Sequence, residues 1–174
     1  YWKNDPFFDA ATRAELSALT DEREIEDRFY RDLEFGTGGL RGVMGAGTNR
    51  MNQYTVRRAT TGFARFLLDT YGDAAKSRGV AIAYDSRNRS QEFAREAALT
   101  MAAAGIPAYL FTILSATPLL SFAVRHLGCA GGIVVTASHN PKEYNGYKAY
   151  DETGCQLGLQ DAAAVIARVE AVDI

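Results

Sequence analysis

The sequence predicts an α/β fold, a parallel sheet covered by helices on both faces. Three observations predict it. The runs Gly79–Tyr84, Ile106–Thr112 and Ala130–Thr136 are short and continuously apolar, as buried strands are. Segments with apolar residues three and four apart separate them, giving the order βαβαβ with short links. With 174 residues, 47% of them apolar, the chain can bury a full core.

The elements follow in order. Residues 7–19, with Phe7, Ala11, Ala14, Leu16 and Leu19, can form a short helix. Thr20 is expected to cap the next one, where Ile25, Phe29 and Leu33 recur four apart behind Asp21, Glu22 and Glu24. Residues 34–47 are dense in glycine and read as a loop or an irregular strand pair. Thr55 is expected to cap a helix over 56–70 that Gly72 and Asp73 end. Ser90 is expected to cap 91–104, which stops at Gly105, and Thr117-Pro118 opens 118–127, which stops at Gly128. Residues 147–150 alternate weakly as a fourth strand, and 159–172 form the last helix.

Composition narrows the function. Charged residues make up 23% and the formal net charge is −2, which gives no support to a nucleic-acid or membrane-surface role. No apolar stretch reaches transmembrane length. Two cysteines without CxxC spacing argue against a disulfide framework and for a reducing cytoplasm. Two histidines without a carboxylate cluster argue against a zinc site, and His126 reads as a helix C-terminal histidine favoured by the dipole. The chain begins at Tyr1 rather than Met, so a piece of a longer protein is expected.

Parallel sheets bind ligands beyond the C-terminal ends of their strands. Here those ends are polar: Asp85-Ser86-Arg87, Ser115-Ala116-Thr117 and Thr136-Ala137-Ser138-His139. On an extended chain Ser138 and His139 point to opposite sides, a poor hydrolase dyad, and no GxSxG elbow is present. A tight turn at Asn140-Pro141 could still turn both into one cavity; the plainer reading is a loop in which Ser138 and Asn140 cap backbone groups. If 147–150 runs back beside 130–136, Lys148 returns to the strand end, where an ammonium suits a phosphate or a developing alkoxide. Otherwise it is a solvated edge lysine. The run Gly36–Gly42 can let backbone N–H groups approach an anion, with Arg41 forking onto phosphate, or it is a structural turn. Asp85 reads as a turn cap, and Arg87 as its partner or a phosphate ligand.

Together these stretches resemble one family. Thr136–Pro141 (TASHNP) is similar to the phosphoserine loop of the α-D-phosphohexomutases, and Phe35–Gly42 (FGTGGLRG) to their N-terminal motif. Asp85-Ser86-Arg87 resembles their DxR, and Lys148 falls where they have an active-site lysine. The longer run GTGGLRGVMGAGTNRMN, with Asn4-Asp5-Pro6, looks most like the phosphoglucomutase/phosphopentomutase branch. The resemblance implies a three-layer α/β/α domain with a mixed, mostly parallel four-stranded sheet over residues 35–174, the first of four domains, preceded by a helical segment over 1–34 that packs on it.

It also implies roles. Ser138 would carry the phosphoryl group, and His139 and Lys148 would move the proton of the sugar hydroxyl. Arg41 would stabilise phosphate or hold the active-site loops. Thr37, Gly38, Arg87 and Asn140 would bind substrate or its phosphate. Mg²⁺ would bind Ser138 through its phosphate and three aspartates of a later domain. A phosphosugar would be the substrate, a glucose 1,6-bisphosphate-type molecule the activator, and the missing domains of the same chain its contacts. The competing readings are a non-catalytic sugar-phosphate-binding module and a serine hydrolase, for which neither a buried acid nor an oxyanion elbow can be placed.

Overall fold

The computed structural model describes residues 1–174. Its elements are α1 (Ala10–Ala18), α2 (Glu22–Phe29), β1 (Gly39–Val43), α3 (Gln53–Tyr71), α4 (Asp73–Arg78), β2 (Val80–Tyr84), α5 (Ser90–Ala103), β3 (Ala108–Leu110), α6 (Thr117–Leu127), β4 (Gly131–Val135), β5 (Tyr144–Tyr150) and α7 (Leu159–Glu170).

The fold is a three-layer α/β/α sandwich around one sheet of strand order β1-β5-β4-β2-β3. The sheet has five strands rather than four. It is half parallel: β2 pairs in parallel with β3 and β4, while β5 runs antiparallel to both β4 and β1. The extra strand is the glycine-dense stretch. A Cβ at Gly39 would come within 1.8 Å of Tyr147 O on β5, so glycine there permits close strand approach rather than marking a loop. Leu40 meanwhile packs in the main core opposite Tyr147.

Side-chain alternation assigns the two faces. Ile82, Ile133, Val135, Tyr147 and Ala149 face the layer of α3, α5 and α7, where Phe63, Leu67, Phe93, Met101 and Val165 close the core. Ala81, Ala83 and Val134 face Leu120, Ala123 and Val124 of α6. Cys129 is buried in that smaller cluster, where burial pushes its thiol up, and Cys155 is exposed; both are free.

Residues 1–34 form a third cluster. Trp2, Phe8 and Leu16 pack on Tyr54 at the start of α3 and on Ala46. Arg28 ties this layer down: it pairs with Glu15 (2.5 Å) and Glu24 (2.7 Å) and donates to Ala46 O (2.9 Å). No helix is long and apolar enough to cross a membrane.

The helix starts differ from the expected ones. Asp21, not Thr20, caps α2 by accepting from Arg23 N. Asn52, not Thr55, caps α3, and Thr55 is the N3 partner of that capping box. Gly72 breaks α3, but Asp73 starts a short further helix instead of ending one. Thr117 is already helical, and α6 begins without a side-chain cap. Ser90 caps nothing, because its hydroxyl is directed at Asp85 (2.8 Å).

Candidate active site

The loop after β4 is built around an unusual backbone. Ser138 has φ +55°, a left-handed conformation that costs a non-glycine residue on the order of 1 kcal/mol and persists only when its surroundings hold it. The kink has a consequence that extended geometry forbids: it brings Ser138 Oγ to 3.3 Å from His139 Nδ1. Both residues are exposed.

Two sets of contacts hold the loop. Arg87 donates to four of its carbonyls, those of Ser138 (2.7 Å), Asn140 (2.6 Å), Pro141 (3.0 Å) and Tyr144 (3.2 Å). Its Nε lies 3.7 Å from Asp85 Oδ2. The guanidinium is thus occupied by the loop, and the residue expected to bind phosphate sits here as a clamp. From below, Thr136 Oγ1 donates to Asp85 Oδ2 (2.6 Å) and accepts from Ser138 N (3.0 Å). Asp85 Oδ1 also accepts from Arg87 N (3.0 Å) and Ser90 Oγ.

A cleft of about 370 Å³ opens over this loop, lined only by polar and charged residues: Asp85, Ser86, Arg87, Asn88, Ser138, Asn140 and Lys142. Asp85 and Arg87 are already paired, so Lys142, which takes part in none of the ion pairs, is the uncommitted charge in it. Asn140 adds a buried Oδ1 without a hydrogen-bond partner.

A second cleft of about 340 Å³ holds Thr37, Gly38, Gly39, Leu40, Arg41, Lys148 and Gln156. Gly36 and Gly39 bond across a tight turn, and Ala149 N pins it to β5 through Gly38 O. Lys148 pairs with Val134 and Gly39, so β5 does return along β4. Arg41 faces away from the main core, as does Lys148, and neither is in an ion pair. Arg41 stands opposite Gly146, whose carbonyl accepts from Thr136 N (3.0 Å). Arg41 and the base of the serine loop are therefore two strand spacings apart, about 10 Å between backbones, within reach of a long side chain.

Of the expected residues, one cleft gathers Ser138, Asn140 and Arg87, and the other gathers Thr37, Gly38, Arg41 and Lys148; His139 lines neither and is tied in through Ser138. The sequence gives no sign of Lys142 or Asn145, and Ser90 reads there only as a helix cap. Asn145 lies outside the strand expected over 147–150, so no sequence signal marks it; in the structure it is wholly buried and hydrogen-bonded to Ser90 Oγ (3.0 Å). No group of three or more His, Cys, Asp or Glu side chains is arranged to hold a metal ion.

The fold and the site define an α/β/α domain with a mixed sheet and a kinked serine loop at the end of β4. Residues 32–173 match the phosphoglucomutase/phosphomannomutase alpha/beta/alpha domain I family, and the chain belongs to it, as domain I of the α-D-phosphohexomutase superfamily. The phosphopentomutase of Homo sapiens is 42% identical over 161 residues, 89% of this chain and 26% of that protein. A phosphoglucomutase of Staphylococcus epidermidis (strain ATCC 12228) is 43% identical over 140 residues, 80% of this chain and 25% of that protein. The crystal structure of a Thermus thermophilus protein assigned as a phosphomannomutase superposes with a TM-score of 0.71 at 37% identity, over 80% of this chain and 30% of that one. The chain thus spans about a quarter of the length of the curated relatives it matches.

Proposed function

We propose that this chain is the phosphoryl-carrying domain of a phosphosugar mutase that interconverts a sugar 1-phosphate with its 6-phosphate, or with a pentose 5-phosphate. The observation that carries the reading is the setting of Ser138: exposed, held left-handed by Arg87 and Thr136, and 3.3 Å from an imidazole nitrogen. The names of the relatives, phosphopentomutase and phosphoglucomutase, support the reaction class and leave both sugar sizes open.

In the first half-reaction the Oγ–P bond of phosphorylated Ser138 breaks and a bond from a sugar hydroxyl to that phosphorus forms. The hydroxyl proton passes to His139 or Lys148. The resulting bisphosphate turns over, its other phosphoryl group returns to Ser138 Oγ, and a proton goes back to the sugar oxygen released. Such transfers need positioning and positive charge more than covalent help. Arg41, Lys148 and Lys142 supply unpaired charge on two sides of the loop. Mg²⁺, bound to the phosphoserine and to carboxylates outside this chain, would neutralise the group in transfer. A sugar bisphosphate would prime a serine that has lost its phosphate.

Ser138→Ala in the full-length protein tests this. It removes the atom proposed to carry the group, so kcat should fall by at least about a thousandfold. Turnover within about tenfold of wild type would refute the assignment.

A further inference from the structure

Ser138 is linked to a residue outside both clefts. Asn145 is completely buried on β5, and every polar atom of its side chain is used. Its Nδ2 donates to Asn88 O (2.9 Å) and to Ser90 Oγ (3.0 Å), and its Oδ1 accepts from Gly146 N (2.8 Å). These partners fix the amide, because the flipped rotamer would set oxygen against oxygen at Asn88. Ser90, also completely buried, donates its one proton to Asp85 Oδ1 (2.8 Å) and so must accept from Asn145. On the far side Thr136 donates its proton to Asp85 Oδ2 and so must accept from Ser138 N. Two arms of a directional network, one from Asn145 and one from Ser138, converge on the Asp85 carboxylate.

The place of Asn145 gives the network a use. It stands opposite Gly42, next to Arg41, and three residues before Lys148 on the same strand. We infer that Asn145 is a positioning residue: through Ser90, Asp85 and Thr136 it sets the serine loop in register with the strand pair that carries Arg41 and Lys148. A buried network satisfied at every atom holds one arrangement, while a half-satisfied one does not. The catalytic consequence rests on the phosphoserine reading above; the geometric one does not.

The test uses the full-length protein, with Ser90→Ala, which deletes one oxygen, and Asn145→Asp, which keeps the shape but turns the donor into an acceptor. kcat and KM are measured separately, and hydrogen–deuterium exchange of the segment 136–141 is followed by mass spectrometry. Ser90→Ala should lower kcat by about tenfold with KM within about twofold, and exchange at the Ser138 amide should quicken by about tenfold. Asn145→Asp should move both further in the same direction. A drop in melting temperature with unchanged kcat and unchanged exchange would make the network merely structural and overturn the inference. If Ser138→Ala left turnover intact, the mutase reading would fall, while the exchange result would still decide whether Asn145 positions the loop.

Discussion

At Ser138 two adjacent side chains that extended backbone would send apart are turned to one side by a single positive φ. Because that conformation is imposed, its supports are measurable. Thr136→Val keeps the shape but removes both the donor to Asp85 and the acceptor for Ser138 N, and should cost about 1–3 kcal/mol in a denaturant titration. An unchanged midpoint would show that the loop holds itself. A second residue-scale expectation concerns pH. Asp9 caps α1 and its carboxylate accepts from Thr12 N, Thr12 Oγ1, Tyr54 Oη and Gln53 Nε2. Burial works against its charge, but the hydrogen bonds from Thr12 and Tyr54 and from the Ala11 backbone outweigh it and hold the carboxyl down at about 2. The folded value lies below the unfolded one of about 3.9, so the contribution is present above about pH 4 and fades as pH falls toward about 2. Asp9→Asn should therefore show a flatter loss of melting temperature between about pH 6 and 3 than wild type; parallel curves would contradict this.

At the scale of elements, the parallel strands are readable as continuous apolar runs and the helices over them by their periodicity, although β3 is a short, partly exposed edge strand rather than a buried one. The first strand is only half readable, as a loop or an irregular strand pair, because β1 owes its existence to glycines that allow close approach to β5, and local sequence cannot tell such glycines from those of a loop. The caps depart from expectation for a related reason. Several hydroxyls or carboxamides near a helix start can serve, and tertiary partners choose among them, as Asp85 does for Ser90. Likewise Ser138, His139, Arg41 and Lys148 stand out by type and spacing, but the clamp role of Arg87 depends on carbonyls more than fifty residues away. Two substitutions probe the packing. A Cβ at Gly146 would meet Thr136 O at 2.6 Å and Leu40 O at 2.9 Å, both backbone, so Gly146→Ala should destabilise by about 2 kcal/mol or more. Tyr147 is wholly buried, and its hydroxyl has no hydrogen-bond partner. Tyr147→Phe should leave stability within about 1 kcal/mol of wild type or raise it, and a larger loss would reveal a bond this geometry lacks.

At the scale of the whole molecule, the domain presents a serine loop at the end of the central strand β4 and unpaired cations on β1 and β5, while no cluster of carboxylates stands by to hold a metal. The 174 residues alone should fold but show no turnover of glucose 1-phosphate above background in a coupled assay, and measurable turnover would contradict the proposed division of labour. The central claim is that Ser138 carries the phosphoryl group. Its most direct test is mass spectrometry of the full-length protein after incubation with a sugar bisphosphate and digestion. The account predicts one phosphoryl group, on Ser138, lost when sugar monophosphate in excess drains it. Turnover with Ser138 unmodified, or with the phosphate on another residue, would contradict it.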